Sequence, residues 1–265
     1  MKYGTLYGVG VGPGAPDLMT LRALNTLKSV PVIAIPRSSD FAGSVAWRIA
    51  SPVVGDVEGQ ERLYLRFPMT KDPEILKPAW DTAFNKIGER LEKGLSVAFI
   101  SEGDPLVYST FIYLLAEAAE RWPGINIEIV PSVSSITAVP AVLQIPVADG
   151  RERFAVLPAT YGVEDLKRML QEFDTVLLMK VSSVMPKVIA VLEELQLLDR
   201  AVYVSKATTS QQKIVRDIRS IRNDRCDYFS MIMVSKRERS GVLRGNTEIR
   251  PLREKTDPEK MEIVL

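Results

Sequence analysis

Histidine is missing from this 265-residue sequence, and cysteine occurs once, at Cys226. Without imidazole, Ser-His-Asp and Cys-His nucleophile systems are excluded, as are zinc sites built on histidine. A lone cysteine makes neither an internal disulfide nor a thiolate metal cluster, which fits a reducing cytoplasm. A dominant charge is missing too. The 34 Lys and Arg stand against 33 Asp and Glu, a net +1, so no overall field draws the chain to nucleic acid or an anionic membrane. No run of about 18 apolar residues occurs, so no spanning helix is expected. Met1 to Gly4 shows no basic segment leading into an apolar one, and no signal peptide is expected. What remains for chemistry is carboxylates, Lys, Arg, Tyr, the backbone and a bound cofactor.

What is present is an alternation of short apolar runs with longer ones of helical period. Residues 5–11 read as a buried strand ending in glycines, and Thr20 as the cap of a helix carrying Leu21, Leu24 and Leu27. A strand is expected at 30–35. Leu76, Trp80, Phe84, Ile87 and Leu91 mark one face of a helix over 74–93, with Gly94 where a C-cap belongs. Strand 95–100, helix 110–121 and a half-buried strand at Ile125, Ile127 and Ile129 complete a first block. From about residue 132 the alternation restarts, with helices at 135–143, 164–173 and 186–197 and strands at 154–157, 175–181, 201–205 and 228–234. A basic stretch, 213–225, precedes the last of these. Beyond Lys236 the chain turns polar and ends in an expected edge strand at 261–265.

This order predicts an α/β fold of two domains, 1–131 and 132–240, followed by a tail at 241–265. The cleft between the domains is the default place for a ligand.

Three segments carry chemistry. The first is Gly8, Gly10, Gly12, Pro13, Gly14 and Ala15, at the end of a strand, where missing Cβ atoms allow close approach of a ligand. Gly10, Gly12 and Ala15 satisfy the dinucleotide pattern G-x-G-x-x-A. That reading needs a helix opening inside the loop and an acid after the second strand. Pro13 and Pro16 occupy the loop, and Pro36-Arg37 stands where the acid belongs. A tight turn without a ligand is the other alternative.

The second segment is Ser101-Glu102-Gly103-Asp104-Pro105-Leu106-Val107-Tyr108-Ser109-Thr110. It leaves the carboxyl end of a strand and enters a helix, exposing backbone groups and a carboxylate that suit ribose hydroxyls and an amino group. An Asp N-cap on a surface turn is the plain alternative. The third is Ser132-Val133-Ser134-Ser135, where hydroxyls either cap a helix or bind a carboxylate.

Together, in this order, the three segments resemble the tetrapyrrole (corrin/porphyrin) methylase family over roughly residues 6–234. Within it, the Ser101–Thr110 segment is most similar to the branch that methylates the C20 meso carbon of precorrin-2, or of its cobalt-containing counterpart, cobalt-factor II. The resemblance implies two α/β domains with S-adenosylmethionine bent in the cleft between them, and S-adenosylhomocysteine as product. It implies cofactor contacts at Pro13, Glu102, Gly103, Asp104, Val107, Ser134, Ser135, Met179 and Ala207. It further implies a homodimer acting on a small-molecule tetrapyrrole in cobalamin biosynthesis, while charge balance, hydropathy, the lone cysteine and the lack of histidine give the expectation of a cytoplasmic protein with no nucleic-acid, membrane or metal site of its own. Relatives that act on uroporphyrinogen III carry Asp-Arg where this chain has Pro36-Arg37, which argues against that activity here.

The substrate implied is rich in carboxylates, so local cations must recognise it. Arg37, Lys180, Lys206 and Lys236 fall at or just past expected strand ends, and Arg37 is the preferred substrate contact. Glu102, Asp104 and Tyr108 stand beside solvent and substrate carboxylates as candidate proton acceptors, with none singled out. Methylation of another ring position, or a non-catalytic nucleotide-binding module, are the competing functions.

Overall fold

The computed structural model describes residues 2–39, 41–70 and 72–237. The described residues form two compact units, one within 2–138 together with Ala207–Gln211, the other Val139–Lys206 together with 212–237.

The first unit holds β1 (Leu6–Gly10), α1 (Leu21–Ser29), β2 (Val32–Arg37), α2 (Val45–Val54), β3 (Glu61–Arg66), α3 (Pro73–Glu92), β4 (Val97–Ser101), α4 (Phe111–Arg121) and β5 (Ile127–Val130). Its five strands are all parallel, in the order β3-β2-β4-β1-β5. Apolar residues fill both faces, as a parallel sheet covered by helices requires. Leu6, Val32, Ala34, Val97 and Phe99 pack with Phe84 and Ile87 of α3 and with Phe111 and Leu114 of α4. The alternate positions, Val9, Ile33, Ile35, Ala98 and Ile100, pack with Ala23 and Leu27 of α1 and Ile49 and Ala50 of α2. One strand period thus supplies two cores.

Helix ends follow their side chains. Thr20 Oγ1 accepts from Ala23 N–H at 3.1 Å, and Asp72 Oδ1 accepts from Glu74 N–H at 3.0 Å. Such caps each stabilise a helix by about 1 kcal/mol. Gly94, at φ 76°, ends α3 as its sequence position implied.

Two elements here escape the sequence reading. In α2, small residues and the internal Pro52 blur the apolar stripe, although Ser44 caps the helix by accepting from Trp47 N–H at 3.3 Å. In β3, buried Leu63 and Leu65 alternate with exposed Tyr64 and Arg66, a period-two signal carried by only two apolar positions.

α5 (Ser135–Leu143) contains the division between the units, after Ala138. The first unit therefore runs past the expected boundary at residue 131. Ser132, just past that expected boundary, is tied into the first unit, its N–H donating to Asp104 Oδ2.

The second unit holds β6 (Phe154–Pro158), α6 (Val163–Glu172), β7 (Thr175–Met179), α7 (Met185–Glu194), β8 (Ala201–Ser205), β9 (Lys213–Val215) and β10 (Ser230–Ser235). Its sheet runs β6-β7-β10-β8-β9, with β6 and β7 parallel and the other pairs antiparallel. Leu166 and Leu170 of α6 and Val188, Ile189 and Leu192 of α7 cover Val176, Leu178, Tyr203 and Ile232. The basic stretch 213–225 contains β9 and a 3-10 turn, Ile218–Ile221, whose two isoleucines are buried. The expected tail at 241–265, with its edge strand, lies outside the described residues. Among the described residues no helix is long and apolar enough to cross a membrane.

Candidate functional site

Sheet order decides which loops meet. In β2-β4-β1-β5, four carboxyl ends stand side by side, with neighbours about 4.8 Å apart. From them emerge Arg37, the turn 101–110, the glycine loop and the segment 131–134. Open parallel sheets place ligands at that edge.

The glycine loop is fastened to the turn after β4 by backbone alone. Val11 N–H donates to Ser101 O at 2.9 Å, and Gly103 N–H donates to Gly12 O at 2.8 Å, forming an antiparallel bridge between the two glycines. Gly12 and Gly103 hold φ of 92° and 63°, a left-handed backbone that a side chain would strain. Asp104 then adds the third segment. Its Oδ1 accepts from Leu106 N–H at 2.9 Å and its Oδ2 from Ser132 N–H at 2.9 Å. A carboxylate holding two backbone donors is a strong clamp.

The expectation that these glycines make room for a ligand needs correcting at Gly8, where a Cβ would collide with Phe111 Cε1, and at Gly10 and Gly14. A Cβ on Gly10 would stand 2.5 Å from Ser132 Cβ and 2.6 Å from Gly103 O, and one on Gly14 would stand 2.8 Å from Ala207 O. The chain itself uses that space, loop against loop. Gly103 differs: its missing Cβ would point into open space.

Ala207 belongs with the first unit and is buried. Next to it, Thr208 Oγ1 accepts from Ala15 N–H at 3.0 Å. Pro13 is half-buried between these ties. Ser134 Oγ accepts from Ile136 N–H at 3.3 Å, and Ser134 O accepts from Ala138 N–H at 2.9 Å, so this serine caps α5. Ser135 begins that helix, and none of the described residues hydrogen-bonds its hydroxyl. Val107 closes the turn, its N–H donating to Asp104 O at 3.2 Å. The structure thus brings Pro13, Glu102, Gly103, Asp104, Val107, Ser134, Ser135 and Ala207 into one unit. Met179 closes β7 in the second unit and is half-buried.

Backbone strain gathers at the same positions. Tyr108, Lys180, Lys206 and Thr208 have φ of 52°, 56°, 48° and 69°, flanking Val107, Met179 and Ala207. For a β-branched residue such as Thr208 this is a true outlier, and left-handed residues of this kind cluster at functional sites. The two other non-glycine residues of positive φ among the described residues, Gln144 and Gln196, follow α5 and α7, where a left-handed residue commonly ends a helix.

Glu102 is half-buried, and none of the described residues donates a hydrogen bond to it. Burial pushes its carboxyl up from 4.5 to about 7, with the Arg48 guanidinium on α2 opposing the rise. Arg48 was not singled out from the sequence, because the helix that carries it was not recognised.

Arg37 ends β2, half-buried, its guanidinium carbon 5.4 Å from the Tyr64 ring centroid. The lysines fare differently. Lys206 Nζ lies 3.3 Å from Asp227 Oδ1. Lys236 Nζ donates to Leu170 O and Gln171 O, at 3.0 and 2.9 Å. That ammonium closes the end of α6, as a cation at a helix C-terminus does, and so is corrected from substrate contact to helix cap.

With this geometry in view, the likeness to known proteins is direct. The family model of tetrapyrrole (corrin/porphyrin) methylases matches residues 5–220. A Methanocaldococcus jannaschii protein named probable cobalt-precorrin-2 C(20)-methyltransferase is 36% identical over 236 residues, 88% of this chain and 97% of that one. The cobalt-precorrin-2 C(20)-methyltransferase of Salmonella typhimurium is 33% identical, with the same coverage. Among solved structures, the methyltransferase CobJ shares the fold at a TM-score of 0.64 and 20% identity, over 90% of this chain and 97% of that one. The chain belongs to the tetrapyrrole methylase family.

Proposed function

We propose that this protein transfers a methyl group from S-adenosylmethionine to the C20 meso carbon of precorrin-2 or its cobalt-containing counterpart, a step of cobalamin biosynthesis. The observation that carries the reading is the interlock of three loops through Gly12, Gly103, Asp104 and Ser132, in a chain over 30% identical to C(20)-methyltransferases along 97% of their length. A homodimer, expected from the family resemblance, and a cytoplasmic location, expected from the sequence, belong to the same proposal.

The residues present suit the donor. S-adenosylmethionine offers an amino group, a carboxylate, ribose hydroxyls and a sulfonium cation. The loops offer the open side of Gly103, the Ser135 hydroxyl and the half-buried Glu102 carboxyl. Bound there, the donor supplies a methyl already activated by its positive sulfur. Pro13 and Val107 give the site apolar walls, Gly103 gives clearance, and Ser134 and Asp104 hold the loops in shape. Ala207 keeps a small side chain beside the glycine loop, and Met179 is assigned to the adenine through the family resemblance. Arg37 binds a substrate carboxylate at the edge of the sheet. What the protein contributes is orientation and exclusion of water, together worth several kcal/mol of barrier. Any cobalt arrives inside the ring, as part of the substrate.

The test is a product analysis. Incubation with precorrin-2, with and without cobalt, and ¹³C-methyl-labelled S-adenosylmethionine should place label on C20. Label on another carbon, or binding without turnover, contradicts the proposal.

A further inference from the structure

Methylation of a meso carbon that bears hydrogen leaves one proton to be removed. Of the two carboxyls in the turn after β4, Asp104 has both oxygens engaged by the N–H groups of Leu106 and Ser132. Glu102 has none of the described donors on it, and it emerges from β4 between the Val11–Ser101 and Gly12–Gly103 hydrogen bonds that hold the glycine loop. The phenol of Tyr108 stands on a side chain that is 48% exposed. The charged group that acts on Glu102 comes from α2, Arg48, while the neighbouring ends of β2 and β1 bring Arg37 and the Pro13 loop, whose one charged residue is the exposed Asp17.

We infer that the Glu102 side chain is the general base that accepts the meso-carbon proton in the methyl transfer. The inference rests on the proposed function and adds a residue to it. As the carbon–methyl bond forms, the sulfur–methyl bond breaks and its electron pair stays on sulfur, leaving a neutral thioether. The meso C–H bond then breaks, its pair returns to the conjugated ring, and the proton passes to Glu102 and on to solvent. A carboxyl poised near neutrality, as burial makes this one, both takes and releases a proton at working pH.

The experiment compares wild type with Glu102→Gln, Glu102→Asp and Arg48→Ala in the labelled assay, with donor affinity measured by calorimetry using S-adenosylhomocysteine. Wild type should show kcat rising with pH through a midpoint near 7. Glu102→Gln should lose about 100-fold or more in kcat and the pH dependence with it, a loss larger than any accompanying fall in S-adenosylhomocysteine affinity. Glu102→Asp should regain part of kcat and the limb, and Arg48→Ala should move the midpoint upward, because it removes an opposing positive charge. Retention of wild-type kcat and pH profile by Glu102→Gln overturns the inference, as does a loss of kcat that merely tracks lost donor affinity. Failure of wild type to label C20 instead overturns the function itself, so the two failures are distinct.

Discussion

Asp104 Oδ2 accepts a hydrogen bond from Ser132 N–H at 2.9 Å, across 28 residues of sequence. That bond joins the loop after β4 to the loop after β5, while the glycine loop after β1, the strand between them, is bridged to the same turn at Gly103. Three motifs that look separate in the sequence are one object in the structure.

Replacement of Asp104 tests this clamp. Asp104→Ala leaves the N–H groups of Leu106 and Ser132 without their acceptor, at a cost of about 1–3 kcal/mol for a lost charge-assisted pair. Asp104→Asn keeps one acceptor oxygen and should fall between. Urea melts give the stability, and S-adenosylhomocysteine titration should show weaker binding in the same order.

Crowding at Gly10 offers a second test. An added Cβ meets Ser132 Cβ and Gly103 O closer than any ordinary contact, so Gly10→Ala must push the loops apart. Overpacking of this kind costs about 1–3 kcal/mol. Thermal melting should register that loss. Donor affinity should drop by more than stability alone accounts for, and an unchanged affinity would separate the loop spacing from binding.

Glu102 makes stability depend on pH. Its folded-state value near 7 lies above the ordinary 4.5, so between these values the native state holds a proton that the unfolded chain releases. Stability on this group's account is greatest below about pH 4.5 and falls as pH rises through 7, by on the order of 2–3 kcal/mol at most after allowance for partial exposure. Denaturation of Glu102→Gln at pH 5 and pH 8 should show a flatter dependence than wild type. A steeper one would contradict the assignment of burial as the cause.

Arg37→Ala separates substrate from donor. Loss of a bidentate carboxylate contact should raise KM for the tetrapyrrole about tenfold or more, with S-adenosylhomocysteine affinity unchanged. Equal effects on both ligands would remove Arg37 from the substrate side.

The legible parts of the fold were those in which one residue type does one job. Thr20 and Gly94 marked helix ends by capping chemistry, and the apolar runs of β1 and β4 announced strands buried on both faces. α2 and β3 were not read, because small residues and Pro52 in one, and only two buried leucines in the other, weaken the periodic signal. At the site, the motif residues were visible but their division of labour was not. Gly10 and Gly14 pack against other loops, one oxygen of Asp104 holds Ser132 N–H, and Lys236 caps α6, all through partners distant in sequence. Arg48 reaches Glu102 from a helix that gave no clear signal, so its influence depended on tertiary structure.

The most direct measurement is a crystal structure of the protein with S-adenosylhomocysteine. The account predicts the ligand against the open side of Gly103, in contact with the loops that follow β1, β4 and β5. Density for the ligand anywhere else, with those loops untouched, would contradict it.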